Sequence, residues 1–187
     1  MTVETVFHHS LRQEWRTPDP LYHALVKHSG GFTVDAAASL ENALCPDYID
    51  QNIDALKEKM SWSPKELDRP RVQAFCNPGF RNFGPWIKKA FEQGQTTIDS
   101  YVYLMGLSSF SSQWWRQWAE QADRILLLSP RVNFLPPLKR YAAPGKQLAL
   151  FDNVEPSSNP RETCVFIFRP IETRRPVIET FYWKEPF

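Results

Sequence analysis

The residues best suited to chemistry lie in the stretch 74–80, which has the sequence Ala-Phe-Cys-Asn-Pro-Gly-Phe. An apolar run opens the stretch, Asn-Pro-Gly interrupts it and an aromatic residue closes it, which is typical of a buried strand that ends abruptly at a sheet edge. In open α/β sheets, groups at the carboxyl ends of the strands face a ligand cleft. The side-chain oxygen of Asn77 and the backbone carbonyl of Pro78 are acceptors suited to an exocyclic amino group, and Phe80 could stack on the ring that carries it.

Two segments near the start of the chain have the features of a ligand-binding site. Thr17 and Pro18 form a helix-start signal, with Thr17 as N-cap and Pro18 at the first helical position, and the glycine pair at 30–31 ends the helix. Residues 32–35 predict a short strand that ends in Asp35 and is followed by Ala-Ala-Ala-Ser, whose small side chains let a ligand approach the backbone. Asp35 either contacts that ligand or caps the following turn.

The rest of the chain alternates between predicted strands and predicted helices. Residues 42–50 predict a loop, and further strands are predicted over residues 72–76, 101–105, 125–128 and 163–169. One helix is predicted to start at Pro85, and the serine-rich segment 108–112 can cap another that contains Trp114, Trp115, Trp118 and Ala122. Apolar strands that alternate with helices indicate an α/β fold, with a mostly parallel sheet covered by helices on both faces.

Length and composition set further expectations. The 187 residues predict a single domain, with a poorly ordered arm over 1–13 and a tail over 170–187 that forms an edge strand or a docking arm. A formal net charge of +1 requires any affinity for nucleic acid to come from a local basic patch. Three widely spaced cysteines fit neither a disulfide framework nor a metal site. The expectation is a reduced, cytoplasmic protein with no leader, no membrane segment and no metal.

Asn77, Pro78, Gly79 and Phe80 resemble the Asn/Asp-Pro-Pro-Tyr/Phe signature of the amino-group DNA methyltransferases. Further stretches are similar, in the same order, to the small phage and prophage adenine-N6 methyltransferases of the Dam type. They are residues 15–18 (Trp-Arg-Thr-Pro), 32–39 (Phe-Thr-Val-Asp-Ala-Ala-Ala-Ser), 42–48 (Asn-Ala-Leu-Cys-Pro-Asp-Tyr) and 85–90 (Pro-Trp-Ile-Lys-Lys-Ala). The resemblance covers roughly residues 14–135, and Gly79 stands where the family has its second proline.

This resemblance implies a Rossmann-like methyltransferase fold that binds S-adenosylmethionine and transfers its methyl group to adenine N6 in DNA. The implied catalytic residues are Asn77, Pro78 and Phe80. The implied cofactor contacts are Trp15, Thr17, Pro18, Asp35, Ala36 and Asn77. Because a base inside a duplex cannot reach a buried cofactor, the target base would be flipped into the pocket. From the residues alone, Trp15 and Pro18 could equally anchor a helix to the core.

Two groups of basic residues are candidates for contacts with DNA phosphates. Arg81 lies beside the predicted cleft, and Lys88 and Lys89 lie on the following helix, where a solvated face is the alternative. Residues 135–160 are rich in Pro, Gly and Ser and predict a long loop. The basic side chains of this loop that we expect to contact DNA are Lys139, Arg140 and Lys146. A chain of this length has no room for a large recognition domain, so such loops would supply the specificity.

Three other functions stay open at this stage. Cytosine N4 methylation uses the same four-residue signature as adenine N6 methylation. A prophage relic or an anti-restriction protein that binds DNA or cofactor without methyl transfer is a different class, which the change to Gly79 keeps open, because glycine lacks the fixed φ of proline. An enzyme adapted to another base modification would also be expected to differ from the methyltransferases in the Pro-Gly-Phe pocket.

Overall fold

The computed structural model of the protein describes residues 15–63, 72–136, 157–158, 162–170 and 175–184. Its strands are β1 (Val34–Asp35), β2 (Asp47–Tyr48), β3 (Gln73–Cys76), β4 (Tyr101–Leu107), β5 (Arg124–Ser129), β6 (Asn133–Phe134), β7 (Ser157–Ser158), β8 (Thr163–Phe168) and β9 (Val177–Tyr182). Its α-helices are α1 (Asp19–Ser29), α2 (Phe83–Gly94) and α3 (Gln113–Gln117), and 3₁₀ turns cover Phe80–Asn82 and Ala119–Gln121.

Seven of the strands form one sheet in the order β2-β1-β3-β4-β8-β5-β9, and β6 pairs with β7 separately. Neighbours from β2 to β4 run parallel, as do β5 and β9, whereas β8 is antiparallel to both β4 and β5. All strands of the large sheet except β8 therefore point in the same direction. The predicted α/β fold with a mostly parallel sheet is confirmed.

Helices cover both faces of this sheet, as the sequence predicts. On one face, α1 packs Leu21 and Leu25 against the sheet, and on the other, α2 packs Ile87 and Ala90. Strand β4 lies between these layers and is buried at six of its seven positions. That burial explains its continuous apolar sequence, because strands covered on both faces lose the alternation of half-exposed strands.

The helix α1 ends where the sequence predicts but begins differently at its first residues. Gly30 adopts a left-handed conformation with φ 88°, and its N–H donates to the Val26 carbonyl, which closes the last turn. At the other end the N-cap is Pro18, without a side-chain cap, so the prediction of Thr17 as N-cap and Pro18 as first helical residue is off by one position. The Thr17 hydroxyl instead accepts a hydrogen bond from the Asn77 side chain.

Several boundaries also differ from the sequence prediction. The predicted loop 42–50 contains β2, a strand too short to show a periodic pattern. The helix α2 begins at Phe83, before the predicted start at Pro85. The helix α3 has only five residues, and the Ser112 hydroxyl donates to the Ser109 carbonyl rather than capping it.

The ends of the chain complete this comparison. Of the two structures predicted for the tail, the edge strand is present as β9, which pairs with β5 alone. The predicted arm over residues 1–13 lies outside the described residues. Within the described ranges, the structure contains no helix with the length and apolar character needed to cross a membrane.

Two glycines of α2 provide a matched test of how tightly the helix packs on β8. A Cβ on Gly94 would lie 2.7 Å from both the Cβ and the carbonyl oxygen of Phe168, whereas a Cβ on Gly84 would meet only the Trp114 Cβ at 3.8 Å. We expect Gly94→Ala to lower the free energy of unfolding by roughly 1–3 kcal/mol through overpacking. Gly84→Ala should leave it unchanged or raise it by up to about 1 kcal/mol. Urea unfolding measures both, and equal stability of the two variants would contradict this packing.

Candidate active site

A cavity of about 370 Å³ opens at the carboxyl ends of β1, β2 and β3. Its walls come from the segment before α1, the loops after β1 and β2, and the turn after β3. Open parallel sheets bind their ligands at this edge, and a cavity of this size is in the range of small-molecule and cofactor sites. Of the predicted site residues, the cavity brings together Trp15, Thr17, Asp35, Ala36, Asn77 and Pro78.

Two of the predicted catalytic and cofactor-binding residues do not line this cavity. Pro18 is buried at the start of α1. Phe80 is half-buried beyond the turn, and its ring meets the rings of Phe83 and Phe134 edge-on at 6.3 and 5.9 Å. Phe80 is therefore held in place by other aromatic rings and keeps part of its surface accessible.

The side chain of Asn77 is fixed by two hydrogen bonds. Its Nδ2 donates to the Trp15 carbonyl at 3.1 Å and to the Thr17 hydroxyl at 3.0 Å. A backbone carbonyl can only accept, so the contact with Trp15 sets which end of the amide is the NH₂ group. Among the described residues, no donor reaches the Asn77 Oδ1. The amide oxygen is thus an oriented and unused acceptor beside the cavity.

The segment that holds Asn77 is itself tied to a distant part of the chain. The backbone N–H groups of Arg16 and Leu135 each donate to the other residue's carbonyl at 2.9 Å. The Arg16 Nε also donates to the Pro136 carbonyl at 2.9 Å. These bonds fix the position of Trp15 and Thr17, on which the orientation of the Asn77 amide depends.

Asp35 forms the end of β1 and is 3 % exposed. One carboxylate oxygen accepts from the Ala37 N–H at 3.3 Å, and the other accepts from the Leu44 N–H at 3.2 Å. Burial raises the pKa of Asp35 to about 6, and the two backbone donors oppose that shift. The turn-capping role that the sequence left open is present, and a direct contact between Asp35 and a cofactor stays a prediction.

A second acid of the cavity, Asp50, escaped the sequence analysis. It lies two residues after β2, which runs parallel to β1. Hydrogen bonds from the Ile53 N–H, at 3.0 Å, and from the backbone and side chain of Asn52 lower the pKa of Asp50. In nucleotide-binding sheets, an acid that follows the strand beside the first strand can bind a ribose. Asp50 has this position relative to β2, and it could have been found only if β2 had been predicted.

The three basic candidates near the turn have different surroundings. Arg81 is exposed, and Lys88 is exposed and paired with Glu92 at 2.7 Å. Lys89 is only 6 % exposed, and its Nζ donates to the backbone carbonyls of Lys57 and Glu58 at 2.9 and 3.2 Å. The prediction of Lys89 as a DNA contact is wrong, because the ammonium group ties the loop after β2 to α2.

The basic residues predicted to contact DNA from the long loop lie outside the described part of the chain. They are Lys139, Arg140 and Lys146. The structure does show that β6 and β7, which flank the segment 137–156, pair antiparallel. The described residues on either side of that segment are therefore close together, and those on its N-terminal side include the residues tied to Arg16.

Gly79 departs from the family signature in sequence but not in backbone angle. Its φ is −59° and its ψ is 134°. Proline fixes φ near this value, so the turn has the backbone that the second proline of the signature would impose. Within the described residues, no acceptor is bonded to the Gly79 N–H. The backbone angles of Gly79 are thus compatible with proline.

The mostly parallel sheet, the cavity at its carboxyl edge and the Asn-Pro turn beside it are consistent with a methyltransferase-like α/β fold. Comparison with protein families identifies the family within this class. Residues 4–185 match the family described as DNA N-6-adenine-methyltransferase (Dam). The chain belongs to this family, and it is therefore a DNA adenine methyltransferase. Neither the curated proteins nor the solved structures contain a significant match to it.

The hydrogen bond between Thr17 and Asn77 gives the first prediction for this site. Thr17→Val keeps the side-chain shape but removes one acceptor of the Asn77 NH₂ group. We expect it to lower kcat by about 2- to 10-fold, the worth of one hydrogen bond, with little change in cofactor affinity. Thr17→Ser keeps the hydroxyl and should retain the activity of the wild type. A Thr17→Val variant with unchanged kcat and weaker cofactor binding would instead place Thr17 on the cofactor.

The raised pKa of Asp35 gives a second prediction, on stability. The folded state holds the proton of Asp35 up to about pH 6, above the usual pKa of 3.8 for an aspartate side chain. Between these values the folded state binds more protons than the unfolded state, so the free energy of unfolding falls as pH rises, by roughly 2–3 kcal/mol from this group.

Asp35→Asn removes this titration and serves as the comparison. We expect urea unfolding between pH 4 and 7 to show a shallower fall for Asp35→Asn than for the wild type. The slope is the readout, because asparagine supplies one oxygen for two backbone donors and lowers stability at every pH. Parallel curves for the two proteins would contradict the raised pKa.

Proposed function

We propose that this chain uses S-adenosylmethionine to methylate adenine N6 in DNA, with the target base flipped out of the duplex. The observation that carries the proposal is the Asn77 amide, whose NH₂ group is anchored and whose oxygen is left unused beside the cavity. Such an oxygen is a fixed acceptor for the hydrogens of an exocyclic amine. Its orientation is set before any ligand binds, and preorganised acceptors of this kind are effective in catalysis.

The cavity has the character expected of a site for S-adenosylmethionine. Its described lining residues include four acids and one arginine, namely Asp35, Glu41, Asp50, Asp54 and Arg16. This balance suits a cationic ligand. Small side chains follow β1 and the indole of Trp86 contributes to the wall, which suits the close approach of a flat adenosine group. When bound, S-adenosylmethionine supplies an electrophilic methyl group.

Individual contacts follow from the positions of the lining residues. The Asp50 carboxylate would accept hydrogen bonds from the ribose hydroxyls, because it lies after the strand adjacent to β1. Ala36 and Trp15 would contact the cofactor directly, Asp35 would shape the loop around it, and Thr17 would act mainly through Asn77. Pro18 lies behind the cavity wall and would support it.

The turn after β3 would hold the substrate amine. The Asn77 Oδ1 and the Pro78 carbonyl would accept the two amino hydrogens of adenine and direct the nitrogen lone pair toward the cofactor cavity. These acceptors also stabilise the positive charge that develops on the nitrogen. Phe80 would stack on the flipped base, a contact worth about 1–3 kcal/mol per base by alanine substitution. Base flipping itself costs a few kcal/mol.

The duplex around the flipped base would meet basic side chains. Arg81 directly follows Phe80 and is exposed, and Lys88 is exposed one helical turn into α2. We propose Arg81 and Lys88 as phosphate contacts, together with Lys139, Arg140 and Lys146 of the long loop. Neutralising the three loop residues should lower DNA affinity uniformly across sequences and flatten its salt dependence. An unaltered salt slope would place the contacts at Arg81 and Lys88 instead.

Variants of Asn77 test the proposed chemistry. Asn77→Ala should abolish methyl transfer while S-adenosylmethionine still binds, because the amide holds the amine and not the methyl donor. Asn77→Asp keeps an acceptor but loses both donated hydrogen bonds, so we expect partial activity. Calorimetry measures cofactor binding, and transfer of a tritiated methyl group to DNA measures activity. An Asn77→Ala variant that retains the activity of the wild type would contradict the role of the amide.

Gly79→Pro tests whether the departure from the signature matters. The φ of −59° already suits proline. We therefore expect Gly79→Pro to raise the free energy of unfolding by about 0.4–1 kcal/mol, because proline lowers the conformational entropy of the unfolded chain. Methyl transfer should be retained or improved. A variant that folds but is much less active would show that the turn needs the freedom of glycine.

A further inference from the structure

A second cavity, of about 450 Å³, adjoins the same turn. The lining of the cofactor cavity ends at Gly79, and the lining of this second cavity begins at Phe80. Its other walls are the start of α2, the carboxyl end of β4 at Leu107, and α3. The mechanism above uses Phe80 and Arg81 from its lining but gives no role to the rest of this cavity.

The second cavity is lined by three amide side chains. Gln113 and Gln117 are four residues apart on α3, so they project from the same face of that helix. Asn82, just before α2, also lines the cavity. In the described part of the chain, none of these three amide groups has a hydrogen-bond partner, and all three residues are exposed. We call this site the amide cavity.

The floor of the amide cavity is aromatic and firmly packed. The half-buried indole of Trp114 meets the ring of Phe83 edge-on at 4.8 Å and the ring of Phe166 at 5.9 Å. Phe80 contributes a further aromatic surface to the lining. Flat apolar walls of this kind favour a planar ligand, because a stacked ring gains contact without ordering many side chains.

The polar groups of the amide cavity limit the chemical class of ligand that it can bind. Asn and Gln amides carry both donors and acceptors and pair with the edges of nucleobases. Among the described residues that line it there is no acid, in contrast to the cofactor cavity, and the one charged side chain is the exposed Arg81. A neutral base inside the cavity, with its phosphate near Arg81, matches this distribution. The cationic S-adenosylmethionine does not match this distribution.

The base in this cavity would be a neighbour of the target. Asn77 and Pro78 line the cofactor cavity and not the amide cavity. The amino group that they hold therefore lies outside the amide cavity. Phe80 stands between the two sites, so a strand whose target base stacks near Phe80 would bring an adjacent nucleotide to the amide side.

We propose that the amide cavity binds a base that flanks the target adenine and reads its edge through Asn82, Gln113 and Gln117. The inference rests on the proposed function, which supplies the DNA strand and the position of the target. It makes this cavity a determinant of the sequence context in which adenine is methylated.

The test uses the full chain and a DNA library in which the bases around a central adenine are randomised. N6-methyladenine is mapped by sequencing after reaction with the wild type, Gln113→Ala, Gln117→Ala and Asn82→Ala. The control is Gln95→Ala, another exposed glutamine, at the opposite end of α2 and outside the cavity. Thermal unfolding of each variant confirms folding, and Asn82→Ala tests the wall that does not depend on α3.

We expect the wild type to prefer certain bases at one or more flanking positions. The cavity variants should reduce that preference at a shared position by roughly 5- to 150-fold, the discrimination that a good amide-to-base contact provides. Gln95→Ala should keep the context of the wild type. Cavity variants that keep the same context, or that lose activity equally on all sequences, would overturn the inference while leaving the proposed function intact. A wild type with no flanking preference would overturn it as well.

A different result identifies failure of the proposed function. If the folded wild type binds S-adenosylmethionine but leaves no N6-methyladenine in any library member, the proposed function fails and this inference fails with it.

Discussion

The site depends above all on the two hydrogen bonds that the Asn77 amide donates. They join the turn after β3 to the segment before α1, 60 and 62 residues away in the chain. One partner is a backbone carbonyl, which fixes the identity of the amide atoms without further assumption. Because the NH₂ group is used for anchoring, the oxygen is the atom that we propose for the substrate amine. The geometry of the turn, the position of Trp15 and the direction of the acceptor are therefore one linked feature.

The walls of the cavity beside Asn77 are held by buried charged groups that face the protein. Asp35 ties the loop after β1 through the Ala37 and Leu44 backbone. Lys89 ties the loop after β2 to α2 through two carbonyls. A buried charge is costly unless it is hydrogen-bonded, so these partners are required for the fold as well as for the site. Asp50 also lines the cavity, and we propose it for direct contact with the ligand.

The sequence predicted the α/β fold and most strands, because long apolar runs such as β4 and β8 carry a strong local signal. It also placed Asn77 and Asp35 at strand ends, which the structure confirms. It missed β2, and with it Asp50, since two residues cannot show a period. It misjudged Lys89, because burial depends on what packs against a helix and not on the helix alone. The partners of Asn77 lie far away in the chain, so no local pattern could reveal them.

The central claim is that a methyl group from S-adenosylmethionine reaches adenine N6 in DNA through the Asn77 turn. Nucleoside mass spectrometry of DNA incubated with the protein and S-adenosylmethionine bearing a deuterated methyl group tests it most directly. The account predicts labelled N6-methyl-2′-deoxyadenosine with the wild type and none with Asn77→Ala. Labelled N4-methyl-2′-deoxycytidine, or an absence of labelled nucleosides from a folded wild type that binds the cofactor, would contradict it.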